Sequence, residues 1–403
     1  MVHFPEIDLN DPDSFVDGVP HHWFQKLRAE APLYFHPEAD GPGFWCVTKY
    51  ADLKHVSRDP KLFSSWLGGT NIEDRPPDLL ARMRVIMLNM DPPQHVKFRR
   101  IVQRGFTPRM VEDMRHHVRE LARAIVDRVA EKGECDFVQD LAAELPLQVI
   151  CEMMGVPQQD RFKIFELSNR LIGFDDPEYS TSEEQGMIAS AEMFAYANQL
   201  AAERKANPGD DLVSRLINAE VDDESLTELE FSSFFLLLAV AGNETTRTVT
   251  SWGMHALMEN PEQRERLVRD PSLIPSAVEE ILRYAPAVHY FRRTATRDTE
   301  LRGQQIKQGD KLTIWYPSAN RDEEVFENPN AFDVARSPNE HVAFGIGEHF
   351  CLGANLARME LQEIFREIVT RLPDMELAAP PRRMRSNFIN GCKEMRVRYT
   401  PEA

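Results

Sequence analysis

Apolar residues recur at intervals of three and four through the middle of the chain. Val111, Met114, Val118, Leu121 and Ile125 form one such stripe on an otherwise basic stretch, the periodicity of an amphipathic helix. Helical spacing dominates from Gln94 to Leu282 and returns at about 354–371, where Ala357, Leu361, Ile364, Phe365 and Ile368 mark a buried face. Residues 1–80 differ: prolines interrupt them, and short β-like pieces such as Phe44-Trp45-Cys46-Val47-Thr48 stand between, predicting loops, short strands and a few helices. After Arg283, Pro and Gly punctuate short alternating pieces around Leu301-Arg302-Gly303 and Lys311-Leu312-Thr313-Ile314-Trp315. No linker-like tract or repeat divides the chain. The pattern predicts a mainly α fold with small β-sheets: one domain over 1–403, its β regions near the N-terminus and after about residue 284.

One predicted helix is unusually long. Thr227 and Glu230 form a capping-box pair, and the helical pattern then runs to Glu259, where Asn260-Pro261 stops it. That is roughly 48 Å at 1.5 Å per residue, enough to cross a domain. Phe234 to Val240 is apolar on every face, as expected of a buried central helix.

Composition narrows the class. The chain has 403 residues, 42% apolar and 28% charged, which suits a large globular core. Its net charge of −18 argues against a general nucleic-acid or anionic-membrane binder. The five cysteines, at 46, 135, 151, 351 and 392, include no CxxC pair, so neither a disulfide framework nor a structural zinc site is expected. The N-terminus lacks a basic region followed by an apolar stretch, and the longest apolar run, Phe234 to Gly242, is too short to span a membrane. The expectation is a soluble, cytoplasmic protein.

Four features carry chemistry. The central helix is interrupted by Ala241-Gly242-Asn243-Glu244-Thr245-Thr246. This reads either as a kink whose Thr hydroxyls bond to the preceding turn, or as small residues leaving room for something flat, with Glu244 and Thr245 as a proton path. Phe344-Gly345-Ile346-Gly347-Glu348-His349-Phe350-Cys351-Leu352-Gly353 sets a cysteine in a glycine-rich loop just before a helix, where free amides and the helix dipole favour a thiolate. Its three glycines permit positive φ and close backbone approach. Phe350 at the last glycine position argues against a phosphate loop. Glu280-x-x-Arg283 and His95-x-x-x-Arg99 each share a helix face and say little alone.

Together and in this order, the four features resemble the cytochrome P450 family of haem-thiolate monooxygenases across essentially the whole chain. The resemblance implies haem b (iron protoporphyrin IX) with Cys351 as axial ligand inside an FGxGxHxCxG pattern that includes Phe344, Gly345 and Gly353. It implies that Ala241 lies against the haem, that Glu244 and Thr245 deliver protons, and that Glu280 and Arg283 are a structural pair. His95, Arg99, Arg293 and His349 match positions holding the haem propionates, where cations make charge-assisted hydrogen bonds. One departure stands out: Pro329-Asn330-Ala331-Phe332 has Ala331 where the family often carries a third cation, with Arg336 the nearby substitute.

Family positions lining the distal side are Leu237, Val240, Ala241, Val288, His289, Phe291, Phe388 and Ile389. The loop from Ser64 to Met90, with Trp66, Leu67, Ile86 and Met87, is expected to be a mobile cover over them. The lining is mostly apolar and suits an apolar ligand. Phe291-Arg292-Arg293-Thr294-Ala295-Thr296, Ser318–Glu323, Gly353–Arg358 and Phe388–Gly391 resemble the bacterial subgroup that hydroxylates sterols and methyl-branched lipids, though terpenoid hydroxylases share this vocabulary. The implied reaction is R–H + O2 + two electrons + two protons → R–OH + H2O. No flavin or iron–sulfur motif is present, so a separate ferredoxin with its reductase is expected as donor. Lys97, Arg99, Arg100, Arg104, Arg109, Arg115, Arg119 and Arg123 face only Glu112, Asp113 and Glu120 in the same stretch, a candidate basic docking patch. The alternatives are a peroxide-driven haem-thiolate oxidase and a non-catalytic haem sensor. A hydrolase finds no GxSxG or HExxH support.

Overall fold

Thr227 starts the central helix by the reciprocal bonding its sequence predicts. Its hydroxyl accepts from the Glu230 amide at 3.2 Å, and the Glu230 carboxylate accepts from the Thr227 amide at 2.8 Å. The helix runs Glu228–Glu259 and ends at Asn260. These features belong to a computed structural model that describes residues 3–179, 182–221 and 224–402. Four helices, Glu144–Met154, Arg161–Ile172, Glu183–Ala206 and Ile274–Tyr284, pack around the central one, together with Ala354–Arg371. At Gly253 an added Cβ would lie 2.5 Å from the Ile281 side chain and 2.9 Å from Phe365, so only glycine allows this close approach. The largest apolar cluster is built from these helices and from Pro108–Ala130.

The main sheet lies toward the N-terminal side. Its strands are β1 (Leu33–His36), β2 (Phe44–Val47), β3 (Phe63–Ser64), β4 (Tyr290–Ala295) and β5 (Lys311–Trp315), in the order β1-β2-β5-β4-β3. Strand β5 runs parallel to β2 and antiparallel to β4, with Leu312 opposite both Trp45 and Arg293. The sheet therefore joins the N-terminal segment to the chain that follows Ile274–Tyr284. Among the described residues, no helix is long and apolar enough to cross a membrane.

Glu280 and Arg283 are fully buried and bonded in a fork, at 2.7 and 2.8 Å. Arg283 also donates to the carbonyls of Asn320, Pro329 and Ala331. The cation missing at Ala331 is supplied by Arg336, whose Nε lies 3.1 and 3.0 Å from the two Glu280 oxygens. The backbone amide of Asp333 and the side chain of Asn339 complete the shell around that carboxylate. A buried charge is tolerable only when paired and hydrogen-bonded in this way.

Replacing Arg336 by Met should lower the unfolding free energy of the haem-loaded protein by about 2 kcal/mol, the typical worth of a bond to a charged group. Urea unfolding checks this, and an unchanged midpoint would show that Arg283 alone satisfies Glu280.

Candidate active site

The central helix is buried along most of its length, yet Leu237, Val240, Ala241 and Thr245 keep accessible surface. Their spacing places them on one face. Ala241 is exposed in mid-helix although the helix is walled by its neighbours, so this face looks into a hollow inside the protein. A second inward surface lies just ahead of Ala354–Arg371, which packs against the central helix: Phe350 and Cys351 are both exposed there. Gly242 is not on the open face. Ile150 fills the space its Cβ would take, 2.9 Å away, so of the two small residues expected to leave room, only Ala241 does.

The cysteine loop turns through Gly345 and Gly347, at φ 70° and 77°. At Gly347 a Cβ would strike the Ser57 carbonyl at 2.5 Å. Gly353 departs from expectation. It has ordinary negative φ (−87°), caps the following helix, and has open space where a side chain would stand. The Cys351 amide donates to the Phe344 carbonyl at 2.9 Å, closing the loop. Enclosure by protein pushes the Cys351 thiol pKa up. The Gly353 amide, Arg99 and Arg358 pull it down without outweighing burial. A stable thiolate there calls for one more positive charge, as a bound metal supplies.

Two arginines and two histidines meet beside this loop. The His95 and His349 rings lie 4.2 Å apart, and the fields of Arg99 and Arg293 reach both. Burial lowers the pKa of each: His95 to about 4, His349 well below its ordinary value, and Arg99 and Arg293 below theirs. Among the described residues, no carboxylate pairs with Arg99 or Arg293, and the Nδ1 of His95 is buried without a partner. Asp91 is the nearest acid, but Ser64, Ser65 and Trp66 already occupy its carboxylate. This donor set fits a flat group that carries carboxylates at its edge and a thiophilic metal at its centre.

Glu244 lies apart from the open face. It is 1% exposed, paired with Arg247, and accepts from the Thr248 hydroxyl at 3.3 Å. Arg247 is in turn held by Asn169 at 2.9 Å and covers the Phe165 ring. Burial disfavours its charge, but Glu244 more than offsets that and raises its pKa. Thr245 faces the hollow, and its hydroxyl donates to the Ala241 carbonyl at 2.7 Å, the back-bond that the kink reading anticipates. The sequence reading missed Arg247 as the partner of Glu244, and Asn169 as the partner of Arg247. For Arg247 the signal was present, at i+3 on the same helix.

Four of the apolar candidates meet in pairs. Val288 and Ile389 form a β-bridge, and the Phe291 and Phe388 rings lie 5.6 Å apart. Trp66 is packed under Arg84, and Met87 is buried against the helical core. The Ser64–Met90 segment is anchored, with Arg292 bonded to the Ile72 carbonyl and Asp74, and Asn89 to the Met83 carbonyl. His289 is a correction. Its ring stacks on Phe15 at 4.8 Å and its Nδ1 meets the Asn387 carbonyl at 3.0 Å, so it is buried in the N-terminal cluster and only its Nε2 is left without a partner. The basic patch also shrinks: Arg115 and Arg119 both bind the buried carboxylate of Glu363, each at 2.9 Å. Arg100 and Arg109 remain exposed, while the Arg104 side chain lies outside the described part.

Comparison with known proteins agrees with this geometry. Residues 78–373 match the model of the family described as Cytochrome P450, and the chain belongs to that family. It is 44% identical to a steroid C26-monooxygenase of Rhodococcus jostii, over 98% of this chain and 86% of that one. It is also 44% identical to a methyl-branched lipid omega-hydroxylase of Mycobacterium bovis, over 99% and 96%. Among solved structures, a Mycobacterium marinum cytochrome P450 in complex with pseudoionone superposes with a TM-score of 0.92 at 39% identity, covering 99% of this chain and all of that one. The protein is a cytochrome P450 monooxygenase with the P450 fold, and the family implies a haem with thiolate ligation.

Cys351→Ala should abolish the strongly red-shifted Soret band of the reduced carbon monoxide complex. A surviving band would mean another axial ligand.

Proposed function

We propose that this enzyme hydroxylates a steroid or a methyl-branched lipid, using O2 and two electrons from a separate ferredoxin and its reductase. The observation that carries the reading is the open face of the central helix. There Leu237, Val240 and Ala241 offer apolar surface within two turns of a single hydroxyl, Thr245. Such a lining holds a substrate by shape and dehydration rather than by charge. The two curated relatives act on molecules of this kind, which supports the same class here. We assign haem b to the hollow, with Cys351 as its ligand and His95, Arg99, Arg293 and His349 as propionate partners. Bound there, haem with a thiolate ligand supplies oxygen activation by favouring O–O cleavage.

The chain's own part is to orient, dehydrate and deliver protons. Thr245 holds its proton on the Ala241 carbonyl at rest and can turn its hydroxyl into the hollow. Glu244 sits one residue away behind the helix, latched by Arg247. We infer that releasing this latch lets the carboxylate carry protons toward Thr245. The chain has five unpaired cysteines, which suits a reducing cytoplasm.

The exposed Arg100 and Arg109, which meet no carboxylate among the described residues, support a donor-docking face. Basic groups there steer an acidic donor.

A sterol ketone and a methyl-branched fatty acid should each shift the ferric haem to high spin and be hydroxylated with a ferredoxin system, whereas a monoterpenol should do neither. In Thr245→Ala these ligands should bind as before, product formation should fall by about 10²-fold, and electrons should go to peroxide or water. Unchanged coupling removes Thr245 from the relay, and full turnover on added peroxide without a donor would favour a peroxide-driven oxidase. Reversing charge at Arg100 and Arg109 together should slow donor-driven turnover at low salt by about tenfold. An equal rate retires the docking face.

A further inference from the structure

Six arginines are fully buried among the described residues: Arg28, Arg247, Arg283, Arg292, Arg293 and Arg321. Four of them meet a carboxylate, namely Glu323, Glu244, Glu280 and Asp74. Arg293 does not, and it stands where haem carboxylates are expected. Arg321 is the other exception, and no part of the proposed reaction uses it.

Arg321 lines a separate cavity of about 320 Å³ at the far end of the central helix. Trp252 and His255, roughly two to three turns beyond Thr245, form one wall, and His21, at the start of the helix His21–Glu30, forms another. Arg321 is 4% exposed, and its Nη1 is buried without a partner. Its guanidinium only rests on the Tyr284 ring, 4.6 Å away. Arg383 enters the same cavity across the Trp252 face, at 3.8 Å, bonded to the Asn390 side chain at 2.8 Å and to no carboxylate. The Nδ1 of His21 is likewise buried and unpartnered. Glu259 is the one acid in the lining. Burial lowers the pKa of Arg321 to about 9, against the field of Glu280, and of Arg383 to about 10.

Two guanidiniums without a carboxylate partner and an imidazole around one cavity make a site for an oxyanion. We propose that this cavity binds a phosphate group, gripped in the forks of Arg321 and Arg383 with His21 as a further donor. The volume exceeds what a phosphate ion needs, which leaves room for the organic part of a small phosphomonoester. Occupancy would fasten the turn through Arg383 and Asn390 to the end of the central helix, and that turn carries Phe388 and Ile389. The proposal is independent of the substrate assignment.

Calorimetric titration of the haem-loaded full chain tests it, with inorganic phosphate and glycerol 3-phosphate at ionic strength matched with chloride. One-to-one saturable binding is expected. Arg383→Gln, at a half-buried position, should weaken it at least about tenfold with an unchanged Soret spectrum. Arg321→Gln should act in the same direction, and Glu259→Gln should tighten binding by removing the lining acid. Tighter binding of the ester identifies an esterified ligand, and equal binding identifies the free ion; either supports the site. No saturable binding of either compound overturns it, as does affinity unchanged in both Arg383→Gln and Glu259→Gln.

Discussion

Two adjacent glutamates on one helix tie down the segments that flank the cysteine loop. Glu280 binds Arg283 and Arg336, which grip the carbonyls of residues 327–331, and it accepts from Asn339. Glu279 binds His341 just before the loop and Arg358 just after it. Burial alone would raise the Glu279 pKa, but the hydrogen bonds from His341 and Arg358 bring it to about 2. The carboxylate therefore stays charged throughout the ordinary working range, and the clamp with it. A loop with positive-φ glycines has little stiffness of its own, so the position of the Cys351 sulfur against the central helix rests on these two carboxylates.

The same rule of charge pairing marks where this protein expects something else to bind. Among the described residues, its buried arginines are neutralised locally at Arg28, Arg247, Arg283 and Arg292. Where they are left without a carboxylate, they surround a hollow. Around His95, Arg99, Arg293 and His349 the hollow suits haem, and around Arg321 and Arg383 it is small and away from the reaction. Uncompensated burial of charge is costly enough that such clusters are informative about ligands.

Several features were legible in the sequence because they are local. The capping box, the stop at Asn260-Pro261 and the all-round apolar stretch define the central helix without reference to anything distant. The cysteine loop and its helix follow from glycine placement and one apolar stripe. Other features were not legible, since each depends on a neighbour far away in sequence. Gly242 looked like a gap and proved to be filled by Ile150. His289 looked like a ligand contact and proved to be stacked on Phe15. Arg115 looked like a docking cation and proved to be bonded to Glu363.

By itself, the sequence determined which residue types recur at which period, and hence the helices, their ends, and the presence of a cysteine poised at a helix start. Periodicity and capping are interactions within a few residues, so they survive without a tertiary fold. Only the packed structure decided which side of the central helix is open, that Arg336 takes the place left by Ala331, and that Glu244 is latched to an Arg247 held in turn by Asn169. Those outcomes depend on which buried charges and small residues meet across the core, and such meetings exist only once distant segments exclude water between them.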